Sequence, residues 1–286
     1  MKYTETVLTF QCGAVSLVGT IAAPEAASHT GVLVVVGGPQ YRVGSHRQFV
    51  LLSRALAVAG YAVMRFDYRG MGDSGGEICG FEHVTEDIAA AIRGFREACP
   101  QLDQVVLWGL CDAASASLLY WDTTHDPLIK GLVLLNPWVR TEAGLAKTHL
   151  KHYYGQRLFQ ADFWRKVLTG KLGIGRAIGG LIGSVRNARQ QQNEAALSNT
   201  SSFQNRMLRG LKAFPGQVLL LLSGNDYTAK EFLEISRTDP TWASCLKQAN
   251  ILQTEIAEAD HTFSSAEWRM QVENVTMQWL DARVRT

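Results

Sequence analysis

The sequence predicts an α/β protein: a mostly parallel eight-stranded sheet with helices on both faces and a helical insertion. Three observations predict it. Short apolar runs alternate with amphipathic stretches over most of the 286 residues, as in strand–helix–strand units whose crossovers cover a parallel sheet on both sides. Ahead of that rhythm stand two segments of alternating polar and apolar residues, the pattern of an antiparallel hairpin. One long segment, residues 139–215, breaks the rhythm with helix-like sequence and few strand-like runs.

The elements follow in order. Thr6–Gln11 and Ser16–Ala22 alternate in polarity and form the opening hairpin. Val32–Val36, Tyr61–Phe66, Val105–Trp108, Leu132–Leu135, Val218–Leu222 and Ile251–Ile256 are short apolar runs, read as strands. Between and after them, His46–Ala59, Phe81–Ala98, Ala113–Trp121, Ala229–Ser236 and Ser264–Ala282 carry helical spacing. The expected organisation is a core formed by residues 1–138 and 216–286, with a helical basic lid at 139–215. No internal repeat or low-complexity linker interrupts it.

Composition narrows the class. An apolar fraction of 47% and a charged fraction of 19% suit a soluble globular protein. The formal charge of +2 implies no nucleic-acid partner. Met1-Lys2-Tyr3-Thr4-Glu5-Thr6 has no apolar core of a secretory signal, and no run reaches the roughly 18 apolar residues that span a bilayer. The five cysteines, Cys12, Cys79, Cys99, Cys111 and Cys245, are odd in number and lack C-x-x-C spacing. That argues against a disulfide framework and a zinc site. The expectation is a cytoplasmic protein with no metal and no cofactor.

Charge is unevenly distributed. Arg140–Lys212 holds 13 Lys and Arg against 3 Asp and Glu, leaving 15 against 23 elsewhere. A basic lid on an acidic body suits an anionic carrier protein or glycan; it equally suits a solvated face neutralised by the body. The stretch Lys171–Gly183 is apolar, basic and glycine-rich. Packing over an apolar pocket is preferred for it over peripheral membrane contact.

The chemistry centres on Trp108-Gly109-Leu110-Cys111-Asp112-Ala113, between an apolar strand and the helix-forming Ala114–Tyr120. Strand, sharp turn and helix put a nucleophile at the tip, and Gly109 and Ala113 leave room for the turn. A nucleophile needs a base, and the base an orienting acid. Asp226, in Ser223-Gly224-Asn225-Asp226, and His261, in Ala259-Asp260-His261-Thr262-Phe263, each follow a strand, where open α/β sheets place ligands. Each has a plainer reading: a buried apolar Cys, a helix-capping Asp, a loop His contacting Asp260. Asp260 and Glu231 are rival acids. The order and placement of the three favour the triad Cys111, His261 and Asp226.

An oxyanion hole needs backbone N–H donors. The N–H of Asp112 is one, and Gly38 is the choice for the second, with Gln40 next; Pro39 has none to give. The Asp112 carboxylate opposes thiolate formation while the helix N-terminus favours it. Cys111 is therefore expected to stay a thiol until His261 takes its proton. Tyr41, Arg42, Trp138 and Tyr153 are candidate substrate-binding residues, with His46, Arg69 and His152 near the same mouth; packing duty is an equal alternative for each.

The elbow is similar to the G-x-S-x-G nucleophile elbow of α/β-hydrolases, with cysteine for serine. Asp67-Tyr68-Arg69-Gly70-Met71-Gly72-Asp73-Ser74 resembles their D-x-R-G-x-G-x-S loop. Gly37-Gly38-Pro39 is similar to their H-G-G-P oxyanion loop, with Val36 in place of His. The resemblance implies the α/β-hydrolase fold and covers nearly the whole chain. More narrowly, Gly37–Phe49, Trp108–Ser115, Leu135–Arg140 and Asp260–Phe263 resemble the exosortase A system-associated hydrolase, type 1. This implies a Gram-negative bacterial protein linked to exopolysaccharide production and surface-protein sorting. Cysteine at the elbow also resembles dienelactone hydrolases, whose chains are shorter and lack the insertion.

Two functions compete. One is a thiol hydrolase or acyltransferase acting on a small-molecule or carrier-bound ester, thioester or lactone. The other is a catalytically silent fold-mate that binds or scaffolds within the same system.

Overall fold

The computed structural model describes residues 2–26, 28–38, 40–140 and 202–284. The chain divides into two compact units, Met1–Val139 with Arg206–Thr286, and Arg140–Asn205. The strands are β1 (Tyr3–Cys12), β2 (Val15–Pro24), β3 (Thr30–Val35), β4 (Ala62–Phe66), β5 (Gln104–Leu110), β6 (Ile129–Leu135), β7 (Gln217–Ser223) and β8 (Ile251–Ile256). The α-helices are α1 (Gln48–Val58), α2 (Thr85–Ala98), α3 (Asp112–Thr124), α4 (Phe203–Ala213), α5 (Tyr227–Thr238), α6 (Pro240–Cys245) and α7 (Ala266–Arg283).

The strands form one sheet in the order β1-β2-β4-β3-β5-β6-β7-β8. β1 and β2 pair antiparallel, as do β2 and β4; every other pairing is parallel. Burial explains the sequence pattern. β3 and β4 are buried at every residue, and β5 and β7 at all but the first. Helices cover both of their faces, so neither face has to be polar. β1 alternates only from Leu8 to Cys12, and all five residues of β8 before Ile256 are exposed or half-buried, which suits edge strands.

The core joins both layers around Phe49, Trp108, Leu110, Val133, Leu221, Trp279 and Leu280. Phe49 and Trp108 meet edge to face at 5.7 Å, a favourable aromatic arrangement.

Several boundaries differ from the sequence expectation. The helix expected from His46 begins as a 3₁₀ turn, Ser45–Arg47, and becomes α-helical at Gln48, because His46 and Arg47 are left-handed. The helix expected from Phe81 likewise opens with a 3₁₀ turn, Phe81–His83, before Thr85. Helix α6 was not expected. Its signal was Asp239-Pro240: the Asp239 side chain accepts from Thr241 and Trp242 N–H, and Pro240 opens the first turn. The expected insertion, 139–215, runs too far. From Arg206 the chain belongs to the sheet-bearing unit, where Met207, Gly210 and Leu211 are buried and Arg209 pairs with Asp122 at 2.6 Å. The stretch Lys171–Gly183 lies outside the described residues.

Candidate active site

The elbow forms where β5 ends against β6. Cys111 stands between β5 and α3 with φ 63° and ψ −125°, a conformation costly for a non-glycine residue. Backbone bonds hold it there. Cys111 N–H donates to Leu135 O at 2.8 Å, and the Cys111 carbonyl accepts from Ala114 and Trp138 N–H. Gly109 is required by space, since a Cβ there would lie 2.6 Å from the Ala113 carbonyl carbon and oxygen.

His261 follows β8, and its Nδ1 lies 2.9 Å from Asp226 Oδ2. The Asp226 hydrogen bond, and after it the nearby Cys111, outweigh burial and push the His261 pKa up to about 10. Asp226 is 7% exposed and caps α5, accepting from Thr228 N–H at 3.2 Å and Ala229 N–H at 3.1 Å. The plain and the chemical readings of this residue therefore coexist. Burial would raise its carboxyl; the His261 hydrogen bond and charge, with the two capping N–H groups, hold it below the ordinary value. The rival acid Asp260 turns into its own loop and accepts from Thr262 and Ser264 N–H.

A buried tie escaped the sequence reading. Asn136, 0% exposed and left-handed at φ 44°, donates from Nδ2 to Ser223 Oγ at 2.8 Å and to the His261 carbonyl at 3.2 Å. Its Oδ1 accepts from Ser223 N–H, and Ser223 Oγ donates to the Asp260 carbonyl. Asn136 thus couples the ends of β6 and β7 to the histidine loop. Its signal was a lone amide directly after a continuous apolar strand.

The remaining candidates divide. Gly38 N–H points to the site but donates to Asp112 Oδ2 at 2.8 Å. Gln40 turns its side chain inward, with Oε1 accepting from Ser45 N–H. Tyr41 is 47% exposed. Trp138 is brought against the elbow through its N–H to Cys111 and its carbonyl to Ser115 Oγ. Tyr153 and His152 lie outside the described residues.

Arg42 and Arg69 are both held in ion pairs, the packing alternative weighed for them. The Arg42 guanidinium is held by Asp67 and Asp73, and its N–H donates to Asp67 Oδ1. Arg69 forks onto buried Asp87 from Nε and Nη2. Both charges are spent in clamps that fix the loops, because a buried carboxylate needs a paired cation. Asp67 also accepts from Asp73 N–H, while its carbonyl accepts from Ser74 Oγ. Asp67→Ala is expected to lose roughly 3–5 kcal/mol of stability, as for a broken buried ion pair, read from urea midpoints. A loss below about 1 kcal/mol would contradict the clamp.

The Asp226–His261 pair gives stability a definite pH dependence. His261 is raised, so its contribution is complete below the ordinary histidine value and lost as pH climbs through about 10. Asp226 is lowered, so its contribution is present above the ordinary aspartate value and lost as pH falls through the lowered one. The melting-temperature gap between wild type and Asp226→Asn should therefore be widest near about pH 5 and narrow toward alkaline pH. A gap that widens there would refute the pairing.

Among the described residues, no group of His, Cys, Asp and Glu is arranged to hold a metal, and no helix is long and apolar enough to cross a membrane.

Comparisons agree with this fold. The esterase Pf2001 of Pyrococcus furiosus superposes with a TM-score of 0.61 at 15% identity, covering 99% of this chain and 93% of that one. Est1E of Butyrivibrio proteoclasticus, solved with ferulic acid, gives 0.63 at 13% identity, covering 98% and 100%. Pyrococcus horikoshii acylaminoacyl peptidase gives 0.64 at 17% identity over 100% of this chain but 42% of its own length. No curated protein matches by sequence. The fold is the α/β-hydrolase fold. A family model described as serine aminopeptidase, S33, matches residues 27–200, well over half of the 286. With cysteine at its elbow, this chain belongs to that hydrolase family.

Proposed function

We propose that this hydrolase is a thiol enzyme that cleaves or transfers an acyl group from an ester, thioester or lactone through an acyl-Cys111 intermediate. The observation that carries this reading is the 2.9 Å hydrogen bond between His261 and Asp226, with Cys111 close enough to the same ring to favour its charged form. With the thiol proton held on His261, whose cationic form the site favours, sulfur attacks the acyl carbonyl. Collapse of the tetrahedral intermediate breaks the bond to the leaving alkoxide or thiolate, which receives that proton from His261. His261 then deprotonates water, or an acceptor alcohol or amine, which attacks the thioester and returns Cys111 to the thiol. Asp226 holds the ring with Nδ1 toward the carboxylate and stabilises its cationic form. The esterase and peptidase names of the similar structures support acyl-transfer chemistry in general.

The motif blocks around Gly37–Phe49 and Trp108–Ser115 support a place in exosortase-linked exopolysaccharide systems. The excess of positive charge in Arg140–Lys212 supports an anionic acyl carrier protein or charged glycan as the acceptor or donor.

Intact mass tests the reading. Wild type and Cys111→Ala are exposed briefly to activated esters and acyl thioesters. An acyl-sized adduct on wild type alone, longer-lived in His261→Ala, is expected. Absence of adduct and of turnover across the panel would move the assignment to the binding role.

A further inference from the structure

A donor expected to receive an oxyanion is already in use. The Gly38 N–H donates to Asp112 Oδ2 at 2.8 Å. Gly38 is the donor that the loop supplies for acyl chemistry, and a carboxylate from the same chain takes it. The fit is close. A Cβ at Gly37 would lie 2.1 Å from Asp112 Oδ1 and 2.9 Å from Leu110 O, so glycine there admits the carboxylate. Oδ1 is buried without a hydrogen-bond partner among the described residues, and so is the fully enclosed Tyr68 hydroxyl. A buried acceptor left in this state is expensive, and an arrangement that tolerates it has another use for the group.

Resting on the acyl-thioenzyme reading, we propose that the Asp112 carboxylate is the resting occupant of the oxyanion hole, so that an acyl carbonyl enters only when Asp112 gives up the Gly38 N–H. A carboxylate accepts from backbone N–H more strongly than a neutral carbonyl does, so the substrate competes with it on unequal terms. Once the tetrahedral oxyanion forms, an adjacent carboxylate repels it. Neutral Asp112 removes both obstacles. The groups facing it are the His261 imidazolium, the neighbouring Cys111 and the Tyr68 phenol. Burial raises the carboxyl above its ordinary value, and backbone N–H groups, that of Gly38 foremost, and the His261 charge act against that rise. Asp112 thereby becomes a specificity-determining residue: it favours acyl groups whose remaining contacts are strong enough to expel it.

Two measurements test this on the full chain. The first is the rate of Cys111 acylation by p-nitrophenyl acetate across pH in wild type, Asp112→Asn and Asp112→Ala. Both variants should acylate about 10²- to 10³-fold faster than wild type near about pH 8, the range set by one oxyanion-hole donor. The advantage should shrink toward acid pH as the wild-type carboxyl is neutralised. The second is the Gly38 amide resonance, which should titrate with the carboxyl in wild type and not in Asp112→Asn. A titrating amide with faster variants supports the proposal. Variants that acylate no faster than a reactive wild type, or a Gly38 amide that does not titrate, overturn it. No acylation in any of the three proteins with a titrating amide overturns the acyl-thioenzyme reading while supporting the occupied hole.

Discussion

Cys111→Ser is expected to lower turnover by roughly 10³-fold or more, on the scale of losing a nucleophile, while barely moving the melting temperature. The two side chains are nearly isosteric, and the elbow is held by backbone bonds to Leu135, Ala114 and Trp138 that neither side chain touches. Only the chemistry changes. A hydroxyl gives up its proton far less readily than a thiol, so forming the attacking oxyanion on serine costs far more than forming the thiolate on Cys111. Steady-state hydrolysis and differential scanning calorimetry of the two proteins decide it. A fall of many degrees would mark Cys111 as a packing residue, and retained turnover would remove it from the chemistry.

Asp226→Asn should cost about 10⁴-fold in turnover, the size of effect seen when an amide replaces the acid of a triad. The reason is the tautomer. The carboxylate accepts from Nδ1–H at 2.9 Å and leaves Nε2 free to take a proton, whereas the amide can donate to Nδ1 and fix the wrong tautomer. Folding should survive, because asparagine caps helices about as well as aspartate and can still accept from Thr228 and Ala229. Asp260→Asn is the matched control. Its carboxylate bonds Thr262 and Ser264, so its replacement should loosen the loop without approaching that loss. Equal losses in the two variants would refute Asp226 as the acid. Rescue of the activity of Asp226→Asn by raising pH would also count against a tautomer effect.

The sheet, the strand–turn–helix at Cys111 and the positions of Asp226 and His261 after their strands were legible because each rests on a local signal. Continuous apolar runs such as Val218–Leu222 can only be strands buried on both faces, and Gly109 and Ala113 mark a turn with no space for larger side chains. Residues following strands fall at one edge of a parallel sheet whatever the details, so the order Cys111, Asp226, His261 carried geometric meaning. Asp239-Pro240 was equally local and was passed over.

Other features had no local signature. Arg42 looks like a loop cation free to meet substrate; only its approach to Asp67, 25 residues away in sequence, makes it a clamp. Asn136 reads as a strand exit until Ser223 and the His261 carbonyl arrive from distant segments. Asp112 was visible as an oddity beside the nucleophile, yet whether its carboxylate faced solvent, thiol or loop depended on where Gly37 and Gly38 came to rest. The sequence by itself determined the layered fold and the placing of Cys111, Asp226 and His261 each just after a strand, since periodicity and chain order decide those. Tertiary structure alone decided which charges were spent in pairing and which donors were occupied, because hydrogen bonds between distant segments depend on distances of a few tenths of an ångström that no spacing along the chain encodes.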